Sequence, residues 1–147
     1  MIKNDELFIF CDGGSRGNPG PAAAAGVIKN AAGKTRVLCG KYLGIATNNQ
    51  AEYAAVELAL QKIKENIRDV NEIRFYLDSK LVVNQLSGLY KTKDNRLREA
   101  GLRIRMLENG LGKIYYQHIS REKNQEADQL VNEVLNTGTN IQRVFNE

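Results

Sequence analysis

The order of strand-like and helix-like spacings of apolar residues along the chain constrains its fold more than any other feature. Three strand-like stretches come first, and from about residue 49 onward helical and strand-like stretches alternate. An antiparallel meander followed by alternating units predicts a mixed sheet with helices packed against it. The predicted strands are 7–12, 22–30, 34–44, 72–79 and 113–119, and the predicted helices are 49–67, 80–88, 97–107 and 127–135.

Length and composition are typical of one globular domain. The chain has 147 residues, of which 42% are apolar, and this is enough to bury a sizeable core. No apolar run approaches the roughly 20 residues that a membrane span needs. The first ten residues, MIKNDELFIF, are too short and too acidic for a signal peptide. We therefore expect a single domain over residues 1–147, a cytoplasmic location and no membrane association.

Net charge and the two cysteines say little about which class of protein this is. The formal net charge of +4 favours a polyanionic partner, although many proteins are equally basic. Cys11 and Cys39 lack the spacing of a structural zinc site, and both lie in apolar, strand-like runs. We interpret them as buried thiols in a reducing compartment, while a disulfide stays open if their strands are neighbours.

Two of the predicted strands end in an acid. Asp12 closes LFIFCD, and Asp78 closes IRFYLD. If these strands are parallel neighbours, both carboxylates point into the crevice at the carboxyl ends of the strands. Two close carboxylates repel each other, and a divalent cation such as Mg²⁺ would neutralise them. The alternative is structural, because acids at strand ends also begin turns and cap helices.

Two further acids begin helices. The spacing Asn49-x-x-Glu52 matches a capping box, which would use Glu52 only to close the helix end. A first-turn residue of this helix would also face the carboxyl edge of the sheet. Asp128 lies in the first turns of the last helix, where the helix dipole alone accounts for an acid. Each acid is therefore ambiguous when it is considered alone.

Four motifs taken together remove much of this ambiguity. The segments CDGGSRGNPGPAAAAGV, TNNQAEYAAVELAL, FYLDSKLVVNQL and HISREKNQEADQLVNE follow one another in the order found in type 1 ribonuclease H. The chain resembles that family over about residues 5–136, and a tail of about residues 138–147 lies outside the resemblance. The resemblance implies an α/β ribonuclease H-like fold, with a five-stranded mixed sheet (three antiparallel strands, then parallel ones) flanked by helices.

The resemblance also implies an activity. Asp12, Glu52, Asp78 and Asp128 match the acids with which family members bind two Mg²⁺ or Mn²⁺ ions. Such enzymes are endonucleases that hydrolyse the RNA strand of RNA–DNA hybrids and leave 5′-phosphate and 3′-hydroxyl ends. The implied partner is a hybrid, with double-stranded RNA as a second possible substrate, and we expect the protein to be a monomer.

Substrate contacts follow from the same resemblance. Members of the family read RNA sugar hydroxyls and hold a DNA-strand phosphate with residues of the glycine-rich loop and the TNN turn. The glycines would let the backbone approach the nucleic acid closely. The same residue types also serve ordinary turns, and that interpretation stays open. The implied contacts are Gly14, Ser15 and Asn49 for the RNA, Asn18 and Thr47 for the phosphate, and Asn48 in the same turn.

His118 matches the auxiliary histidine of the family, ten residues before Asp128. A structural or surface histidine fits the sequence equally well, and Arg121 could share the role. The basic helix that many bacterial relatives insert after the segment 80–88 is absent here. A run of basic residues between 91 and 105 remains, for which a solvated helix face is the more common meaning.

Two other functions compete with hybrid cleavage. One is a non-catalytic module that binds hybrids or double-stranded RNA on the same scaffold. Four clustered carboxylates argue against it, since a pure binder of phosphates gains nothing from them. The other is a nuclease of the same fold that acts on DNA, against which the GGSRGNPGP and TNNQAE turns argue.

Overall fold

A computed structural model describes residues 1–146 of the chain. The predicted order of elements is present, with bounds that differ by a few residues. The strands are β1 (Ile2–Lys3), β2 (Glu6–Ser15), β3 (Gly20–Asn30), β4 (Thr35–Ala46), β5 (Ile67–Arg68), β6 (Glu72–Leu77), β7 (Lys113–His118) and β8 (Ile141–Val144). The helices are α1 (Asn48–Asn66), α2 (Lys80–Leu86), α3 (Asn95–Glu108) and α4 (Gln125–Thr137), and a short 3₁₀ helix (Arg121–Asn124) precedes α4.

The main sheet has the strand order β7-β6-β2-β3-β4-β8. The β2–β3 and β3–β4 pairs are antiparallel, whereas β2–β6 and β6–β7 are parallel. The predicted fold class, a mixed sheet flanked by helices with the antiparallel strands first, is therefore confirmed. β1 and β5 form a separate two-stranded parallel pair.

The sheet has six strands, because the tail expected to lie outside the resemblance supplies β8. This strand pairs antiparallel with β4 and so covers an edge that would otherwise leave backbone groups of the sheet unpaired. Gly40, which is opposite Ile141 in this pair, lets the helix over 125–137 approach the sheet, since a Cβ atom there would lie 2.8 Å from Val134 Cγ2 and 3.6 Å from Ile141 Cβ. The last residue of the predicted tail, Glu147, lies outside the described residues.

Helices cover both faces of the sheet. α1 packs on one face, where it shares a core with residues of β2 and β6, and α3 packs against α1. α4 covers the other face through a smaller apolar cluster. The run Ala22–Ala25 on β3 is fully buried, with Ala24 toward the α1 core and Ala23 and Ala25 toward α4. Such small side chains let a helix approach the sheet from either side. Within residues 1–146, no helix combines the length and apolar character needed to cross a bilayer.

The two cysteines lie in one row across the sheet and do not pair. Cys11 on β2 is opposite Gly26 on β3, and Gly26 is opposite Cys39 on β4. Neighbouring strands are about 4.8 Å apart, so the two Cα atoms are separated by roughly 10 Å, beyond the reach of a disulfide. Both thiols are free and buried, which answers the question that the sequence left open.

Gly13 allows the start of α1 to lie directly on β2. The expected glycine-rich loop begins later than the sequence indicated, because β2 continues through Ser15. A Cβ atom on Gly13 would overlap the backbone of Ala51 and would lie 2.5 Å from the backbone nitrogen of Glu52. The glycine at this position therefore permits close approach of the protein's own helix, whereas the sequence had suggested close approach of nucleic acid.

We predict that Gly13→Ala strongly destabilises the protein. The added methyl group meets helix backbone that cannot rotate away, and overpacking of this kind costs about 1–3 kcal/mol or more. For a domain of this size the melting temperature should fall by roughly 5–10 °C, measured by circular dichroism. Gly14→Ala is the matched control, since its nearest contact would be Val131 Cγ1 at 3.9 Å. Equal melting temperatures for both variants would contradict this explanation.

Candidate active site

Strand register brings Asp12 and Asp78 together. The last pair of the parallel β2–β6 ladder is Phe10 opposite Tyr76, and each acid stands two residues beyond its member of that pair. Both carboxylates therefore occur at the same level of two adjacent strands, at the edge where β6 ends. β2 continues past this level, paired with β3, and this gives Asp12 a rigid backbone on one side.

Glu52 reaches the same place because it does not cap its helix. The capping box that the spacing of Asn49 and Glu52 suggested is not formed: the box is made by Thr47 and Gln50, two residues earlier. The Gln50 backbone nitrogen donates to Thr47 Oγ1 at 3.1 Å, and the Thr47 nitrogen donates to Gln50 Oε1 at 2.8 Å. The Glu52 side chain is thus available to turn toward β2, where its Oε1 accepts a hydrogen bond from the Gly13 nitrogen at 2.9 Å.

The three acids form a compact, largely buried cluster. One carboxylate oxygen from each of Asp12, Glu52 and Asp78 lies within 4.8 Å of the other two. Asp12 is 7% exposed and Glu52 is 5% exposed, whereas Asp78 is half-buried. Among the described residues, the second carboxylate oxygen of Glu52 is buried without a hydrogen-bond partner. At least one oxygen of the cluster, Glu52 Oε2, therefore meets no donor from the described part of the protein.

Asp128 and His118 flank this cluster. Asp128, on the first turn of α4, is close enough to Asp12 and Asp78 to repel both carboxylates, although it lies outside the compact triad. His118 is exposed at the end of β7, opposite Leu77 in the parallel ladder and hence beside Asp78. Arg121, in the 3₁₀ helix, also acts on the Asp78 carboxylate. The open side of the cluster is thus lined by one acid and two basic side chains.

Burial and mutual repulsion shift the titration of all three clustered acids. Burial raises the pKa of Asp12 to about 7, and repulsion from Asp78 adds to this rise. The pKa of Glu52 is raised well above its usual range, first by burial and then by repulsion from Asp12. Burial also raises the pKa of Asp78, while the charge of Arg121 opposes that shift. In the protein alone these carboxylates cannot all ionise at neutral pH without cost.

These residues fit a hard divalent cation. The donors are all carboxylate oxygens, the atoms that Mg²⁺ and Mn²⁺ prefer. The unpartnered buried oxygen of Glu52 is a ligand atom that the fold leaves without another use. The partial exposure of Asp78 and Asp128 leaves space for water, which Mg²⁺ retains in most protein sites.

A cleft of about 790 Å³ lies between the TNN turn and the start of α3. Two hydrogen bonds connect the end of β2 with the TNN turn. The Asn48 side-chain oxygen accepts a hydrogen bond from the Ser15 backbone nitrogen at 2.9 Å, and the Asn18 side-chain oxygen accepts one from the Asn48 backbone nitrogen at 3.0 Å. Gly14 precedes Ser15 on β2. Four of the six predicted substrate contacts line this cleft, namely Asn18, Thr47, Asn48 and Asn49, together with Gln50 and Asp94–Leu97.

The basic run around α3 is only partly available for contacts with a ligand. Arg103 forms an ion pair with Glu57 at 2.6 Å, and Arg105 pairs with Glu108 at 3.1 Å. The other basic residues of the run, all of them exposed, are Lys91, Lys93, Arg96 and Arg98.

Sequence reasoning missed Asn124, which joins the last helix to β2. This side chain is only 1% exposed, and its Nδ2 donates to the Cys11 carbonyl at 2.8 Å. From the sequence, an asparagine at the start of α4 would be interpreted as an ordinary helix cap. Its contact with Cys11, the residue before Asp12, is visible only in the structure, because the two residues are 113 positions apart in the sequence.

We predict that the metal-free protein loses stability as the pH rises from about 4 to about 7. The pKa of an aspartate in the unfolded chain is about 3.9, and burial raises the pKa of folded Asp12 to about 7, so the folded state binds more protons between these values. The free energy of unfolding therefore falls across this window. Asp12→Asn should make this fall smaller, because it removes one of the three raised carboxylates, and should melt roughly 5 °C above the parent protein at pH 8, on the scale of about 2–4 °C per kcal/mol.

Differential scanning calorimetry in chelator between pH 4 and pH 8 measures this difference. Asp69→Asn, the same chemical change at an exposed position away from the cluster, is the control and should retain the pH dependence of the parent. A parent protein and an Asp12→Asn variant with the same pH dependence would show that the cluster carries no excess repulsion.

The comparisons with known proteins agree with this geometry. The family described as Reverse transcriptase-like matches residues 10–134. The Ribonuclease HI of Halobacterium salinarum is 42% identical over 133 residues, which cover 90% of this chain and 66% of that protein. A crystal structure of RNase H1 from the same organism superposes with a TM-score of 0.84 at 39% identity, covering 90% of this chain and 98% of that one.

Two further relatives extend the comparison. The structure of LC11-RNase H1 in complex with an RNA/DNA hybrid has a TM-score of 0.84 at 38% identity and covers 90% of this chain and 98% of that one. A bifunctional protein of Mycobacterium tuberculosis is 36% identical over 88% of this chain but only 35% of its own length. The chain thus spans just under two thirds of one curated relative and about a third of the other. On the extent of these matches, the chain belongs to the type 1 ribonuclease H family.

Proposed function

We propose that the protein is a metal-dependent endonuclease that hydrolyses the RNA strand of RNA–DNA hybrids. The observation that carries the proposal is the buried triad of Asp12, Glu52 and Asp78, with an unpartnered Glu52 oxygen directed to no protein donor. A relative with 38% identity was solved in complex with an RNA/DNA hybrid, which supports the choice of substrate.

Metal binding would be the task of Asp12, Glu52, Asp78 and Asp128. When bound, two Mg²⁺ or Mn²⁺ ions would supply an activated water and would stabilise the departing 3′ oxygen. Hydrolysis would add water across the phosphodiester, so that the bond from phosphorus to the 3′ oxygen breaks and 5′-phosphate and 3′-hydroxyl ends result. The rigid placement of Asp12 on β2 and the Gly13–Glu52 hydrogen bond would fix the ligand oxygens before substrate arrives.

His118 would act at the exposed side of the cluster. Its position beside Asp78 and its exposure to solvent suit a group that carries a proton between solvent and the reacting phosphate. Arg121, close to the same carboxylate, would place a positive charge near the phosphate. Both roles are auxiliary, because neither side chain belongs to the compact triad.

The cleft beside the TNN turn would hold the nucleic acid backbone. The side-chain oxygens of Asn18 and Asn48 already accept hydrogen bonds from protein nitrogens, so their amide NH₂ groups are the atoms suited to donate to a ligand. We assign Asn18 and Thr47 to a DNA-strand phosphate, and Gly14, Ser15, Asn48 and Asn49 to the RNA strand. Contacts with the 2′-hydroxyl would distinguish RNA from DNA.

We also propose that the protein is a single domain, a monomer and cytoplasmic. Residues 1–147 would act as one domain, which is supported by a sheet that joins strands from Glu6 to Val144. All four acids come from one chain, so a monomer would suffice for activity. Two free buried thiols are consistent with a reducing, cytoplasmic location.

We predict that Asp12→Asn abolishes cleavage of a labelled RNA–DNA hybrid while the protein stays folded. Loss of a metal ligand removes charge stabilisation worth several kcal/mol, so the rate should fall about 1,000-fold. The Asp69→Asn control should cleave at the parent rate. Excess chelator should stop the parent enzyme, and adding Mg²⁺ or Mn²⁺ separately should show which ion restores it. Undiminished cleavage by Asp12→Asn, or in chelator, would contradict the proposal.

A comparison of three nucleic acid substrates decides between related functions. Hybrid, double-stranded RNA and duplex DNA should be compared at equal concentration, and we expect cleavage of the RNA strand of the hybrid. Binding of the hybrid without metal-dependent cleavage would instead indicate a non-catalytic module, and preferential cleavage of duplex DNA would indicate a nuclease of another specificity.

We predict that Asn18→Ala weakens substrate binding more than turnover. The substitution removes an amide donor in the cleft and one hydrogen bond to the Asn48 backbone. Hydrogen bonds of this kind are worth about 1 kcal/mol each, so the KM for hybrid should rise roughly 5–10-fold with kcat within about 2-fold. Steady-state kinetics measures both constants, and a fall in kcat at constant KM would show that Asn18 acts elsewhere.

A further inference from the structure

The side chain of Asn124 is in the usual position for a helix cap but does not act as one. Asn124 directly precedes α4, where an asparagine normally accepts a hydrogen bond from the backbone of the first turn. No such side-chain bond is present, and the backbone angles there, φ −114° and ψ 27°, are not those of an extended cap. The side chain points into the protein and is 1% exposed.

The amide nitrogen of Asn124 is used on the neighbouring strand. Its Nδ2 donates to the Cys11 carbonyl at 2.8 Å. The parallel β2–β6 ladder has its last pair at Phe10 and Tyr76, so the Cys11 carbonyl lies where that ladder ends. A buried carbonyl at this point needs a donor, and the asparagine side chain supplies it.

This single bond connects elements that carry different acids. Cys11 is bonded directly to Asp12 along the chain, and Asn124 lies one helical turn before Asp128. The Asn124 side chain also faces the Asp78 carboxylate. A shift of Asn124 would therefore change the spacing of three carboxylates that come from two strands and one helix.

The amide oxygen of Asn124 shows which way round the side chain is held. Within residues 1–146, Asn124 Oδ1 is buried and has no hydrogen-bond partner. Rotation of the amide by 180° would place Oδ1 against the Cys11 carbonyl oxygen, so the bond to Cys11 fixes the orientation. The fold thus retains a costly unpaired oxygen in order to keep the bond beside Asp12.

We infer that Asn124 is a positioning residue that sets the spacing of Asp12, Asp78 and Asp128 for cation binding. The inference rests on the proposed function, because the spacing matters only if the acids share cations. Asn124 touches neither a cation nor substrate in this account and acts through the carboxylates that it aligns. It differs from an ordinary core residue in that its removal should change the response to metal more than the stability of the fold.

The test compares Asn124→Ala with Asn132→Ala, an exposed asparagine on α4, the helix that Asn124 precedes. For Asn124→Ala we expect the Mg²⁺ concentration for half-maximal cleavage to rise at least 5-fold. We also expect kcat at saturating Mg²⁺ to fall about 10-fold, with the KM for hybrid within 3-fold. The rise in melting temperature that Mg²⁺ causes at pH 8 should shrink to less than half of the parent value. Asn132→Ala should match the parent in all four measurements.

Asn124→Leu is the second variant, because it keeps nearly the size of the side chain but has no donor for the Cys11 carbonyl. All assays are run at least 15 °C below each variant's melting temperature. We expect this variant to show the same weakened response to Mg²⁺ as Asn124→Ala. A parent-like Mg²⁺ response in either folded variant would overturn the inference, whatever its melting temperature.

Failure of both variants to fold would also overturn it, since the bond would then serve the fold and not the acids. The thermal readout separates this inference from the proposed function. A parent protein that binds Mg²⁺ but does not cleave hybrid would refute the function, while the shift in melting temperature would still decide the role of Asn124.

Discussion

Repulsion among buried carboxylates is the interaction on which the rest of this structure depends. Asp12, Glu52 and Asp78 bring ligand oxygens within 4.8 Å of one another, and two of the three side chains are almost inaccessible to solvent. Water cannot screen such a cluster well, and among residues 1–146 the Gly13 backbone nitrogen is the one donor to Glu52. The fold must therefore hold these groups in place against their own electrostatics, and a divalent cation is the partner that relieves the strain.

The scaffold achieves this by placing each acid on a rigid element. Asp12 has β3 on one side, Asp78 directly follows β6, which lies between β7 and β2, and Glu52 lies on a helix whose first turn is closed by Thr47 and Gln50. Small residues set the distances between these elements. Gly13 lets α1 touch β2, and the alanines of β3 let helices pack closely on both faces of the sheet. The site is thus a consequence of close packing as much as of the acids themselves.

Periodicity and motif order were sufficient to predict the fold class, because strand and helix periods change clearly along this chain. Periodicity left each acid ambiguous, and the four motifs with the resemblance they carry pointed to Asp12, Glu52 and Asp78, which the structure brings together. Other features depend on contacts that a linear pattern does not contain. The spacing that suggests a cap at Asn49 and Glu52 also fits Thr47 and Gln50, which form it, so spacing alone does not choose between the two pairs. β8 was missed because four residues with mixed polarity show no period, and they form a strand only when β4 offers its edge.

The most direct test of the central claim is crystallography of the protein with Mn²⁺ and an uncleavable hybrid, using anomalous scattering to locate the ions. The account predicts anomalous peaks within coordination distance of carboxylate oxygens of Asp12, Glu52 and Asp78, next to a phosphate of the RNA strand. Peaks elsewhere, or a hybrid seated away from these three side chains, would contradict it.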